Sequence, residues 1–140
     1  MKALYTAEAL ATGGGRDGHV LTADRRLDLD LAIPQAMGGS GNGANPEQLF
    51  AAGYAACFHS ALQLAARERK VAIDGSSVGA QVHLGATDAG GFGLAVTLEV
   101  VLPDVDASVA RELADRAHEV CPYSNATRGN IDVDIQVSDD

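Results

Sequence analysis

The chain has 140 residues, 46% of them hydrophobic, and a net charge of −9. That length suits one domain with a real core, expected here over residues 1–140, and the acidic balance argues against nucleic acid or an anionic membrane as a partner, because both select clustered Lys and Arg. The opening Met1-Lys2-Ala3-Leu4-Tyr5-Thr6-Ala7-Glu8 puts a carboxylate inside what would be the apolar part of a secretory signal, so a cytoplasmic protein is expected.

Residues 2–11 read as a strand of weak alternation ending at Gly13-Gly14-Gly15. Arg16-Asp17-Gly18 forms a flexible turn, and a second strand follows near His19–Thr22. After a tight turn at Ala23–Arg26, Leu27-Asp28-Leu29-Asp30-Leu31 alternates strictly, with leucines on one face and aspartates on the other, and predicts a half-buried antiparallel strand. Pro34 ends it, and the glycines of Gly38-Gly39-Ser40-Gly41-Asn42-Gly43 make a mobile link to the next segment.

The stretch Asn45–Arg69 carries the strongest helical signal. Asn45 suits the N-cap, Pro46 the first helical position, and Gln48 the reciprocal position of a capping box. From Leu49 to Ala66 the only polar side chains are Tyr54, His59, Ser60 and Gln63, so the helix is apolar on nearly every side and a core helix is expected. Interrupted at His59-Ser60 and followed by Arg67-Glu68-Arg69-Lys70, it reads as too short and too polar for a membrane span. Two neighbouring rows run along it at helical spacing, a small one (Gly53, Cys57, Ala61, Ala65) and a bulky one (Phe50, Tyr54, Phe58, Leu62), and the small row leaves room for a close approach.

Beyond Asp74-Gly75, Val78, Ala80, Val82 and Leu84 alternate on one face, as do Leu94, Val96, Leu98 and Val100, and Asp88-Ala89-Gly90-Gly91 joins the two runs as a hairpin. Asp104 or Asp106 caps a second helix to about Val120, with Val109, Leu113, Ala117 and Val120 on its inner face. Pro122 stops it, residues 122–129 form a loop, and Ile131, Val133, Ile135 and Val137 mark a last strand. The sum is an α+β domain with antiparallel sheets around a long buried central helix. That helix has more apolar surface than one sheet and one short helix cover, which points to an intertwined homodimer with the central helices of two chains packed together.

Cys57 and Cys121 are the only two cysteines. Cys57 alone reads as one more small buried hydrophobe. In a reducing compartment, however, a lone pair is more often redox-active than a staple. A reactive Cys57 sits mid-helix, where no helix N-terminus lowers its pKa and burial raises it, so it requires a cation. Arg16, in the glycine-rich turn, and Arg128, in the last loop, are the candidates, against the alternative that each is simply solvated. Glu47 is the acid to consider, although any carboxylate in a first helical turn is favoured by the dipole. It precedes Cys57 by ten residues, about 15 Å of helical rise, so the two share one site only if the helix breaks near Gly53 or Glu47 comes from another subunit; the second agrees with the dimer. Cys121, at a helix C-terminus, suits a resolving thiol better than a first nucleophile. A zinc site from Cys57, His59, His118 and Cys121 is the weaker reading, since positions i and i+2 of a helix diverge.

Tyr5-Thr6-Ala7-Glu8, Gly14-Gly15-Arg16-Asp17-Gly18, the run Asn45-Pro46-Glu47-Gln48-Leu49-Phe50-Ala51-Ala52-Gly53-Tyr54-Ala55-Ala56-Cys57-Phe58, Gly90-Gly91-Phe92-Gly93-Leu94 and Cys121-Pro122-Tyr123-Ser124-Asn125-Ala126-Thr127-Arg128-Gly129-Asn130 together resemble the organic hydroperoxide resistance (Ohr) proteins of the OsmC-like superfamily. The resemblance spans essentially the whole chain. It implies the OsmC-like fold and a thiol peroxidase that reduces organic hydroperoxides to alcohols in oxidative stress defence, working as an intertwined homodimer with its sites at the interface. It also implies roles: Cys57 peroxidatic, Cys121 resolving through a Cys57–Cys121 disulfide, Arg16 stabilising the thiolate, and Glu47 orienting that arginine, with the spacing argument placing Glu47 in trans. Recycling by dithiols, usually lipoylated proteins, follows from the resemblance, as does the absence of metal or other cofactors. Phe50, Tyr54 and Phe92 are the expected walls of an apolar substrate pocket, though they serve equally well as core. An OsmC-branch relative of different substrate range, or a dimeric binding domain with inert cysteines, are the rival readings.

Overall fold

The computed structural model describes residues 1–140 and divides them into two compact units, Met1–Leu49 and Phe50–Asp140. In the first unit three short strands, β1 (Ala9–Thr12), β2 (His19–Thr22) and β3 (Asp28–Asp30), form an antiparallel sheet in the order β1-β2-β3. The turns do the shaping. Gly18 follows the one-turn helix Gly15–Asp17, and a Cβ there would lie 2.1 Å from the Thr12 carbonyl oxygen, so only glycine lets β1 and β2 close into a hairpin. His19 of β2 bridges both aspartates of β3, at 2.6 Å to Asp28 and 2.8 Å to Asp30, and its pKa is raised, chiefly by the Asp30 contact. The strand predicted over residues 2–11 is ordered as β only from Ala9, and all four of its residues are exposed.

The helix α1 (Pro46–Arg69) starts where its cap predicts: Gln48 N–H donates to Asn45 Oδ1 at 2.9 Å and Asn45 N–H donates to Gln48 Oε1 at 3.1 Å, a reciprocal capping box. It runs without a break through Gly53. Its length and its mean hydropathy of 1.3 over the most apolar stretch are those of a helix able to cross a membrane, which corrects the expectation from sequence; the charges at Arg67–Arg69 lie beyond that stretch. The core helix of a globular domain passes the same test, and Tyr54, Phe58 and Leu62, the bulky row, are fully enclosed by protein. Burial is nevertheless partial, because only 33% of that apolar stretch is covered within the chain.

In the second unit α1 packs its buried side on the sheet of β4 (Ser77–Ala86), β5 (Phe92–Val101) and β6 (Val133–Ser138), with β5 in the middle. The β4–β5 hairpin is antiparallel with Ser77 opposite Val101 and Ala86 opposite Phe92, as the alternation predicts. Val96, Leu98 and Val100 enter the core from β5, and each such side chain contributes ~1.5–3 kcal/mol by leaving water. Two features depart from expectation. β6 pairs with β5 in parallel, not antiparallel, because the chain returns through α2 (Ala107–Val120) and α3 (Pro122–Thr127), a helical crossover of the kind that parallel pairing requires. Residues Pro122–Thr127, expected as loop, are that short third helix, with Pro122 at its first turn, where a missing N–H costs nothing. The cap of α2 is Asp106, whose carboxylate accepts from Ser108 and Val109 N–H, and its inner face buries Ala110, Leu113, Ala114 and Ala117, with Val109 and Val120 partly buried against the core.

Candidate active site

The second unit brings the two cysteines together. Cys57 lies in the middle of α1, and Cys121 occupies the corner between α2 and α3, where its N–H closes the last turn of α2 on Ala117 and its carbonyl accepts from Asn125. The two Sγ atoms are 3.7 Å apart and both thiols are free. A disulfide needs about 2.05 Å, so closure asks for a small local movement and no refolding. Cys121 is wholly buried and Cys57 partly open. Burial pushes the Cys57 thiol above its ordinary pKa; the backbone N–H of Tyr123 opposes that rise, and the neighbouring Cys121 adds to it.

Tyr123 reaches this position because of Gly53. A Cβ at Gly53 would lie 2.7 Å from the Tyr123 hydroxyl, so the ring lies directly against the small row of α1, the close approach that row permits. Phe50 and Tyr54 hold the ring from the sides, with centroids at 6.0 and 5.6 Å. Beneath it, the Tyr54 hydroxyl contacts Ser124 Oγ at 2.9 Å and Thr127 Oγ1 at 3.1 Å, and Ser124 Oγ contacts His118 Nδ1 at 2.8 Å. Burial, and then the charge of Arg128, hold the His118 pKa below its ordinary value. Sequence reasoning missed this buried chain. Its signal was a tyrosine set among hydrophobes on a core helix, since a buried phenol needs a partner.

Arg128, one of the two candidate cations, donates to the His118 carbonyl and to Asn125 Oδ1, so it caps the end of α2. His59 Nε2 contacts Ser76 at 3.0 Å and His118 contacts Ser124, so the histidines weighed for zinc are engaged by hydroxyls, and no group of three or more His, Cys, Asp or Glu side chains comes together.

In the first unit Arg16, on its one-turn helix, meets Glu47 of the first turn of α1 through two parallel bonds, Nη1 to Oε2 at 2.8 Å and Nη2 to Oε1 at 2.6 Å. The side-chain hydrogen bond to Glu47 raises the Arg16 pKa, and the same bond lowers that of Glu47. The fork is bidentate, which fixes the plane of the guanidinium as well as its charge. The pair forms within one chain, since the Gly15–Asp17 turn and the start of α1 belong to the same compact unit.

A cavity of about 670 Å³ opens in the second unit, lined mainly by Phe50, Phe92, Leu94, Tyr123 and Ile131, with Thr87 and Asn130 as polar points. Phe50 and Phe92 are on its wall. Tyr54 is not: its side chain is fully buried and its hydroxyl is turned to Ser124 and Thr127. Tyr123, a wall residue not foreseen, lines the cavity with its ring while that ring also lies against Gly53, one turn before Cys57 on α1.

Residues 39–136 match the family model described as OsmC-like protein. An organic hydroperoxide resistance protein of Xanthomonas axonopodis pv. citri is 49% identical over 98% of this chain and 96% of its own length. Among solved structures, organic hydroperoxide resistance proteins from Elizabethkingia anophelis (TM-score 0.95, 48% identity, all of both chains covered) and Legionella pneumophila (TM-score 0.93, 52% identity, 98% of this chain and 99% of that one) share the fold over its full extent. With a family model covering most of the chain and relatives near half identity along its length, this protein belongs to the OsmC-like family and, within it, to the organic hydroperoxide resistance group.

Proposed function

We propose that the protein is a cysteine-based thiol peroxidase that reduces organic hydroperoxides to alcohols, a defence against oxidative stress acting in the cytoplasm. The observation that carries it is the pair of free thiols 3.7 Å apart, one partly open and one buried; the apolar cavity supports it through Tyr123, which lines it two residues after Cys121. The Cys57 thiolate attacks the distal peroxide oxygen, the O–O bond breaks, and the departing alkoxide takes a proton and leaves as alcohol, with Cys57 as sulfenic acid. The Cys121 thiol then displaces water from that sulfenic acid to give the disulfide. An external dithiol, such as a lipoyl group on a protein, restores both thiols by exchange and departs as its own cyclic disulfide. No metal or cofactor takes part.

The cation that a partly buried, mid-helix Cys57 requires is assigned to Arg16, held in plane by Glu47. Because α1 is continuous, Glu47 stands about 15 Å along the axis from Cys57 of its own chain. The Arg16–Glu47 pair of one subunit is therefore proposed to serve Cys57 of the other in a homodimer, in which both compact units act as one domain over residues 1–140. The apolar walls at Phe50 and Phe92 favour alkyl hydroperoxides over hydrogen peroxide.

Stopped-flow oxidation of the reduced protein by an alkyl hydroperoxide and by hydrogen peroxide tests this, with thiols counted afterwards in wild type and Cys121→Ser. Loss of both thiols, at least a hundredfold faster with the alkyl peroxide, and a trapped sulfenic acid in the variant are expected. Oxidation at the rate of an ordinary thiol, indifferent to the peroxide used, sinks the proposal.

A further inference from the structure

The chain His118, Ser124, Tyr54 and Thr127 is not used by the chemistry above, yet it encloses the corner that carries Cys121. His118 stands three residues before that cysteine, on the last turn of α2, and Ser124 three residues after it, on α3; their side chains meet at 2.8 Å. The Tyr54 hydroxyl then ties Ser124, at 2.9 Å, and Thr127, at 3.1 Å, to α1 one turn before Cys57. Thr127 Oγ1 closes the set on the Ser124 carbonyl at 3.3 Å. A carbonyl only accepts, so Thr127 donates to it, Tyr54 donates to Thr127, Ser124 donates to Tyr54, and His118 donates to Ser124 through Nδ1–H. One direction satisfies every member, and Tyr54, Ser124 and Thr127 are all nearly or wholly buried. A polar set this enclosed and this complete is rigid, since any displacement strands a hydroxyl away from water.

We propose that His118, Ser124, Tyr54 and Thr127 are positioning residues, whose hydrogen-bond chain clamps the corner between α2 and α3 onto α1 and so holds the Cys121 thiol within reach of Cys57. The two sulfurs sit 3.7 Å apart on separate elements, and without the clamp that separation depends on apolar packing and on the exposed ion pairs Arg69–Glu112 and Arg116–Glu68 farther along α1 and α2. A thiol held close has a high effective concentration toward its partner. The inference rests on the proposed peroxidase only where it calls Cys121 the resolving thiol.

The test is the equilibrium between the Cys57–Cys121 dithiol plus oxidised glutathione and the protein disulfide plus two reduced glutathiones, which uses no peroxide. Ser124→Ala, Tyr54→Phe and His118→Leu are expected to shift it about three- to tenfold toward the dithiol, the factor that one buried hydrogen bond carries. His118→Asn, which keeps an amide donor at the Nδ1 position, should stay within about twofold of wild type. Near-UV circular dichroism and melting curves identify any variant that fails to fold. The His118 pair keeps the test decisive in that event, because this side chain is only partly buried. Unchanged equilibria in the folded variants, or an equal shift in His118→Asn and His118→Leu, overturn the clamp. Peroxide kinetics on the same proteins separate the two proposals: with the clamp lost, oxidation of Cys57 keeps its rate while disulfide closure slows and sulfinic acid accumulates. Slow oxidation of wild type by every peroxide sinks the peroxidase reading and leaves the glutathione result standing.

Discussion

At Gly53 two effects of similar size compete. Glycine inside a helix costs about 1 kcal/mol relative to alanine, so Gly53→Ala gains that on α1. The new methyl, however, would stand 2.7 Å from the Tyr123 hydroxyl and 3.2 Å from two ring carbons, and a misfit of this kind costs ~1–3 kcal/mol. The clashing atom is the tip of a partly exposed side chain, so the ring turns away toward the cavity it lines. The expected outcome is a melting temperature within a few degrees of wild type, combined with a KM for a bulky alkyl hydroperoxide raised several-fold and one for a small alkyl hydroperoxide nearly unchanged. Melting curves and steady-state kinetics with the two substrates measure both; equal KM effects on the two would show that Tyr123 does not shape the site. At this scale the sequence was informative about which residues are candidates for the site and silent about what fixes them. A cysteine count, a glycine-flanked arginine and an acid in a first helical turn are visible in one dimension. The Tyr123 ring against Gly53 and the hydroxyl chain under Tyr54 are created by packing, and only the oddity of a buried tyrosine hinted at the second.

The helices show how local chemistry sets the frame around these residues. Asp106 accepts N–H bonds from Ser108 and Val109 and a hydroxyl bond from Ser108, so it satisfies donors that the first turn of α2 otherwise leaves bare. Asp106→Ala is expected to destabilise the fold by ~1 kcal/mol, the usual worth of such a cap, and Asp106→Ser to restore most of it. Urea denaturation midpoints at constant m measure the difference, and no loss in the alanine variant would show that solvent already satisfies those donors. The existence and limits of α1, α2 and the β4–β5 hairpin were legible because capping residues and alternation are local signals. What was hidden is non-local or faint. Nothing in the period-two pattern of Ile131 to Val137 distinguishes a parallel partner from an antiparallel one, and the choice is made by the crossover through α2 and α3. α3 escaped because Pro122 was read as a stop when it is equally a start, and six residues hold too little periodicity to correct that. The inner face of α2 is built on Ala110 and Ala114, small residues that a search for large apolar side chains passes over.

On the scale of the molecule the unsolved element of the fold is apolar surface left uncovered. The unit Met1–Leu49 encloses only Leu31 and Ala32 among its apolar side chains, while Leu4, Tyr5, Leu10, Leu27 and Met37 stand exposed. Only 33% of the most apolar stretch of α1 is covered within the chain. A three-stranded sheet of strands this short has little stability without a surface to pack on, and exposed apolar surface on this scale marks an association site. A second copy of the chain supplies that surface in the proposed homodimer, and it also supplies the Arg16–Glu47 pair that the helical spacing denies to Cys57 of the same chain. Light scattering on the eluted protein is expected to give twice the chain mass at micromolar concentration, and the melting temperature should rise by a few degrees for each tenfold increase in concentration, since association stabilises by mass action. Leu10→Asp, which places a carboxylate on an exposed side chain of β1, should leave a lone chain harmless but bury an unpaired charge in a dimer. Its expected signature is a shift to monomer, loss of the concentration dependence, and a Cys57 that reacts with alkyl hydroperoxide at the rate of an ordinary buried thiol although both cysteines remain in place. A monomeric wild type with full peroxidase activity would break the link, because Cys57 would then have found its cation without a partner.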